Sequence, residues 1–130
     1  MELFETMLQH SSVRSFTQQK LSNELKEQLI LAAQSASSSN FLQAFSIIEI
    51  TDAKKRKMIE QIANFPIDNG DKGSLYIFVA DLNKHAQVLA LTNDSMEHLR
   101  TMESLVVSIV DATSVSYTHL RAHETELHLV

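Results

Sequence analysis

A chain of 130 residues, 44% of them apolar and 21% charged, can bury one modest core and is too apolar for a disordered polymer. Its net charge of −5 argues against the basic stripe of a nucleic-acid surface, and the absence of cysteine excludes disulfides and thiolate chemistry. No apolar run of about 18 residues could span a bilayer, and the acidic start Met1-Glu2-Leu3-Phe4-Glu5 lacks the form of a signal peptide, so the cytoplasm is the expected compartment.

Taken in chain order, the pattern alternates helix and strand. Leu3, Phe4, Met7 and Leu8 fall at helical spacing and predict a short helix ending near His10. Ser22 is placed to cap a second helix, with Glu24 in its first turn and an apolar face of Leu25, Leu29, Ala32, Ala33 and Ala36. Those alanines permit close approach of another helix. Ala44 to Ile50 is apolar and β-rich, which predicts a buried strand. Lys54 to Ala63 predicts a charged surface helix with Met58, Ile59 and Ile62 turned inward, and its run Lys54-Lys55-Arg56-Lys57 reads as a solvated face. Asn64 to Ser74 holds the proline and both glycines of the chain and is expected to be a loop. Leu75 to Ala80 predicts a second buried strand, Asn83 to Leu91 a short helix, and Ser95 or Thr101 the opening of a helix to Thr113. No repeats or low-complexity linkers divide the chain, which reads as one domain.

Two runs carry the chemistry. His10-Ser11-Ser12-Val13-Arg14-Ser15-Phe16-Thr17 places an imidazole, two hydroxyls and a guanidinium directly after a helix. Arginine offers a planar fork of donors suited to phosphate oxygens, and hydroxyls complete such a cradle. Ser35-Ala36-Ser37-Ser38-Ser39-Asn40-Phe41-Leu42-Gln43 is a polar cluster between a helix and a strand, where small hydroxyls can hydrogen-bond a planar ligand. Taken alone, the first run is ordinary capping and surface polarity and the second an ordinary loop. Together they resemble the flavin-binding signatures of the nitroreductase family, in particular its oxygen-insensitive, NADPH-dependent flavin reductases, with Ser11 standing where the family usually has arginine. Leu21-Ser22-Asn23-Glu24-Leu25, Ser46 to Asp52, Ile77 to His85 and Glu103 to Ala112 are similar to further family segments in the same order.

The resemblance implies an α+β (α/β sandwich) fold, a central sheet flanked by helices, of which this chain holds the amino-terminal part. It implies FMN as cofactor and NADPH as electron donor. Electrons would pass in ping-pong fashion to a nitroaromatic, quinone or flavin acceptor. His10, Ser11, Ser12 and Arg14 would line one end of FMN, with Arg14 the main partner of its phosphate or ribityl region. Ser38, Ser39 and Gln43 would approach from a second subunit, because family sites lie at a homodimer interface. The cofactor carries the chemistry, so no side chain is named catalytic. Phe65-Pro66-Ile67 stands where the family tends to place a flavin-contacting glutamine.

The resemblance covers residues 1–113. Ser114 to Thr125 is instead similar to peptides that arise when a sequencing-adapter oligonucleotide is translated, so 114–130 is expected to be a non-native tail. Half of such a fold alone is expected to expose surfaces evolved to be covered, and not to retain FMN. Of the six histidines, His119, His123 and His128 lie in that tail; His123-Glu124-x-x-x-His128 has one residue too many for the His-Glu-x-x-His zinc motif, and the i, i+4 spacing of His119 and His123 is a weak signal by itself, while His85 and His98 are expected to be solvated. No metal site is expected, and with two glycines no glycine-rich nucleotide loop is possible. Two further readings stay open, a non-catalytic flavin-binding or interaction protein and a plain α/β domain.

Overall fold

Ser22 acts as the cap its position predicts. Its hydroxyl accepts the Leu25 N–H at 3.2 Å, and helix α2 runs from there over Asn23–Gln34. The structure, a computed structural model, describes residues 3–8, 19–64 and 72–127. Helix α1 (Leu3–Leu8) precedes α2, and strand β1 (Phe45–Glu49), helix α3 (Ala53–Ile62), strand β2 (Tyr76–Ala80), helix α4 (Asn83–Leu91) and helix α5 (Met102–Leu127) follow. Short 3₁₀ turns at Ser39–Phe41 and Glu97–Leu99 complete the order.

The strands pair antiparallel, with Phe45 opposite Ala80, Ile47 opposite Phe78 and Glu49 opposite Tyr76. That register puts Phe45, Ile47 and Phe78 on one face, where they meet Ala33 and Ala36 of the α2 region and Ala112 and Val115 of α5. Leu29 and Ala33 are fully buried, so the apolar face expected of α2 is the one the core uses. The strands are half-buried rather than buried on both sides. Ile48, on the opposite face, is 46% exposed, because helices cover only one face of this two-stranded sheet among the described residues.

Helix α3 departs from its expected orientation: of Met58, Ile59 and Ile62, only Ile59 is even half-buried. Asp52 caps it by accepting the Lys55 N–H at 2.8 Å, but Met58 and Ile62 are exposed, and Glu60 is buried. Arg56 sets this arrangement. Its guanidinium pairs with Glu60 at 3.2 Å and donates to the carbonyls of Gly73, at 3.0 Å, and Lys72. A fork holding two carbonyls and a carboxylate fixes one side of the helix more firmly than scattered apolar residues with nothing to cover them. Of the basic run, only Arg56 is partly buried.

Thr101, not Ser95, opens α5, its Oγ1 accepting the Ser104 N–H at 3.1 Å. The helix continues past Thr113 to Leu127, since neither glycine nor proline interrupts it. Its buried stripe is Ser104, Ser108, Asp111, Ala112 and Val115, while Leu105, Val106, Ile109 and Val110 are about half exposed. Further along, the His119 ring lies 5.0 Å from Tyr76 and 5.5 Å from Phe78. Among the described residues no helix is long and apolar enough to cross a membrane.

Candidate functional site

The segment from Ser38 to Ala44, which contains the 3₁₀ turn Ser39–Phe41, links α2 to β1 and is held on three sides. Asn40, Phe41 and Gln43 all adopt left-handed backbone, with φ of 51°, 55° and 49°. Asparagine tolerates that region, whereas phenylalanine and glutamine enter it at a cost. Such conformations persist only where surrounding contacts enforce them, and they gather at ligand clamps.

The enforcing contacts come from distant parts of the chain. From α5, the buried Asp111 carboxylate accepts the Ser39 N–H at 3.1 Å through Oδ1. From α4, His85 Nε2 bonds the Leu42 carbonyl at 2.8 Å. Lys84 Nζ donates to the Phe45 carbonyl at 2.5 Å and sits 5.0 Å above the Phe45 ring. The Asp81 N–H, at the end of β2, donates to Ala44 at 2.8 Å. His85 is therefore a partly buried strut rather than the solvated residue expected from its polar neighbours. The Ser46 hydroxyl donates to Asp81 at 2.5 Å, and this bond, opposed by partial burial and aided by backbone N–H groups of Asn83 and Lys84, holds the Asp81 carboxyl below its usual 3.8.

Of the residues expected to bind cofactor, the structure places Ser38, Ser39 and Gln43 on this one loop. His10, Ser11, Ser12 and Arg14 lie outside the described residues, as does Phe65-Pro66-Ile67. Ser38 and Ser39 sit at the α5 end of the loop. Gln43 lies at the other end and lines an open cavity of about 550 Å³ with Ile30, Gln34, Phe45, Ile47 and Lys84. The two ends thus serve different surroundings. The Ser38 hydroxyl is buried with no hydrogen-bond partner among the described residues, a condition that the polar edge of a ligand such as FMN would satisfy.

Asp111, Lys84 and His85 were not legible as site residues from their own neighbourhoods. The available signal was the polar stripe Ser104, Ser108, Asp111 at helical spacing within an otherwise apolar run, since a charge on such a stripe needs a buried partner. For Lys84 and His85 there was none, because their partners are backbone carbonyls of a loop about forty residues earlier.

The model of the Nitroreductase family matches residues 7–127 of this chain. An FMN reductase (NADPH) of Bacillus subtilis is 38% identical over 112 residues, spanning 83% of this chain and 44% of that protein. An NADPH-dependent oxidoreductase of Staphylococcus epidermidis is 36% identical over 117 residues, spanning 88% of this chain and 45% of that protein. Among solved structures, the NfrA1 nitroreductase of B. subtilis superposes with a TM-score of 0.88 at 34% identity, over 95% of this chain and 50% of that one. The NADPH:FMN oxidoreductase of Vibrio harveyi, complexed with NAD+, superposes at 0.79 and 28% identity, over 95% and 51%. The chain spans about half the length of these relatives.

Proposed function

Since this chain belongs to the nitroreductase family, we propose that it forms one side of the FMN site of an NADPH-dependent reductase acting on small electron acceptors, namely nitroaromatics, quinones or flavins. The observation that carries this reading is the Ser38–Gln43 loop. It has three left-handed residues held by struts from α4 and α5, and it carries a buried hydroxyl without a partner among the described residues. Support also comes from relatives bearing the names FMN reductase (NADPH) and NADPH-dependent oxidoreductase.

In this reading Arg14 supplies the planar fork for the FMN phosphate or ribityl region, with His10, Ser11 and Ser12 completing the cradle. Ser38, Ser39 and Gln43 hydrogen-bond and orient the flavin from a second subunit. FMN, when bound, supplies hydride acceptance from NADPH and delivery to the acceptor. The protein's part is position and exclusion of water. A homodimer follows from the same reading, and the apolar face of α5, with Leu105, Val106, Ile109 and Val110 about half exposed, is the surface a partner subunit would cover. A cytoplasmic compartment belongs to the same reading. We read residues 1–113 as the family part and 114–130 as foreign on their similarity to translated adapter sequence, a boundary that falls inside the family match to residues 7–127. A coding frame that runs on past the Thr113 codon into an apolar helix would support that division, and a confirmed Ser114–Val130 coding sequence would refute it.

Titration of FMN with the chain, followed by flavin fluorescence, tests the proposal. Quenching that Arg14→Ala weakens and Arg14→Lys partly restores is expected. Binding by this half of the fold is expected to be weak, so the titration is carried to excess chain: quenching unaffected by Arg14→Ala refutes the assignment of Arg14, and no quenching even at excess refutes the FMN site. Binding without NADPH oxidation in the presence of a quinone would favour a non-catalytic flavin-binding protein.

A further inference from the structure

We infer that Asp111 is the positioning residue that holds the Ser38–Gln43 loop in its strained, ligand-ready form. Asp111 and Ser39 are 72 residues apart in sequence and belong to different elements, so their bond is not a by-product of local structure. Asp111 is 1% exposed on the buried stripe of α5, and its Oδ1 faces the one backbone N–H that opens the 3₁₀ turn Ser39–Phe41. Burying a carboxyl group is costly unless it gains hydrogen bonds; the loop's Ser39 N–H supplies one to Oδ1, while Oδ2 is buried with no partner among the described residues.

The position of that bond explains its effect. Within the turn, the Phe41 N–H reaches the Ser38 carbonyl at 3.3 Å and the Leu42 N–H the Ser39 carbonyl at 2.9 Å. Both acceptors flank the anchored peptide, so fixing the Ser39 N–H fixes the frame on which Asn40 and Phe41 are forced left-handed. His85 holds the far end at Leu42. With both ends tied, the strain cannot relax by sliding the loop. Asp111 touches no cofactor itself. It acts through Ser38 and Ser39, and this role rests on the FMN reading above.

Amide hydrogen exchange by NMR on wild type, Asp111→Ala, Asp111→Asn and Ser39→Pro tests the inference. Asp111→Ala removes the acceptor that the Ser39 N–H reaches at 3.1 Å, so it should speed exchange at Ser39 by about tenfold or more. Exchange at Phe41 and Leu42 should rise with it, while α2 and the sheet stay protected. Asp111→Asn keeps a carbonyl oxygen of the same shape and should restore most of the protection. Ser39→Pro removes the donor from the exposed side without opening the core, and proline is tolerated at the first position of a turn. It should loosen Phe41 and Leu42 in the same way. Unchanged protection at these amides in Ser39→Pro, or equal loss throughout α2, α5 and the sheet in Asp111→Ala, would overturn the inference. FMN titration of the same variants separates the two readings. If wild type leaves FMN fluorescence unchanged, the FMN site fails while exchange still decides whether Asp111 anchors the loop. If wild type quenches and Asp111→Ala quenches equally well, the positioning role fails alone.

Discussion

Replacing Phe41 by glycine should make this protein more stable, although it deletes a large aromatic side chain. Phe41 has a φ of 55° and is 79% exposed, so the ring contributes little burial and the backbone is in a region that β-carbon sterics disfavour. Leaving that region is worth about 1–2 kcal/mol for a non-glycine residue. Glycine returns roughly 0.4–1 kcal/mol of this through the greater freedom of the unfolded chain. The balance is about 0.5–1 kcal/mol in favour of the variant. With a urea m-value of about 1.5 kcal/mol/M for a domain of this size, the unfolding midpoint should rise by about 0.3–0.7 M at unchanged slope. Far-UV circular dichroism at low micromolar protein measures it. Phe41→Val provides the opposite control, since a β-branched residue is the least tolerant of positive φ, and its midpoint should fall. A lowered midpoint for Phe41→Gly would refute the reasoning, because it would mean that the ring packs or that the loop is not held left-handed in solution.

Other expectations concern the core, the pH response and the cofactor. Leu29, on α2, is 1% exposed, so Leu29→Ala should cost about 2–4 kcal/mol in the same unfolding assay, and a loss under 1 kcal/mol would contradict the burial described. Lys26 is raised above its usual 10.5 by its hydrogen bond to Glu49, at 2.6 Å, and Tyr76 above 10.0 by burial and then by the Glu49 charge. Both shifts favour the protonated forms, so their stabilisation is complete below these values and lost as the pH climbs through the raised ones. Glu49→Gln should flatten that alkaline decline in a melting-temperature series, and an unchanged decline would show the coupling to be absent. The depressed Asp81 carboxyl works in the other direction, its contribution being present above about 3.8 and lost on further acidification. Ser46→Ala should therefore soften the acid limb. The chain purified alone should carry well under one FMN per molecule and self-associate through the exposed face of α5, and a stoichiometric yellow monomer would contradict both.

Local features proved readable wherever one residue type settles the matter within a turn or two. Ser22 caps α2, and the bounds of α4 fall at Asn83 and Leu91 as the pattern predicts. Helix α3 shows the limit of periodicity. Its spacing identifies Met58, Ile59 and Ile62 as apolar, but an apolar stripe turns inward only if something lies there to cover it, and Arg56 found two carbonyls and a carboxylate instead. The same limit applies to α5, whose polar stripe of Ser104, Ser108 and Asp111 is inside while Leu105, Val106, Ile109 and Val110 are half exposed.

By itself, then, the sequence determined the order of the helices and strands, the Ser22 cap and the two runs that resemble a flavin site, because turn chemistry and helical spacing act between near neighbours. Tertiary structure alone decided which faces are covered, and it brought Asp111, Lys84 and His85 to the loop after α2. Those bonds join a side chain to backbone groups that every residue possesses, so no residue type at Ser39, Leu42 or Phe45 announces the partner, and only the packing of α4 and α5 beside the loop selects it.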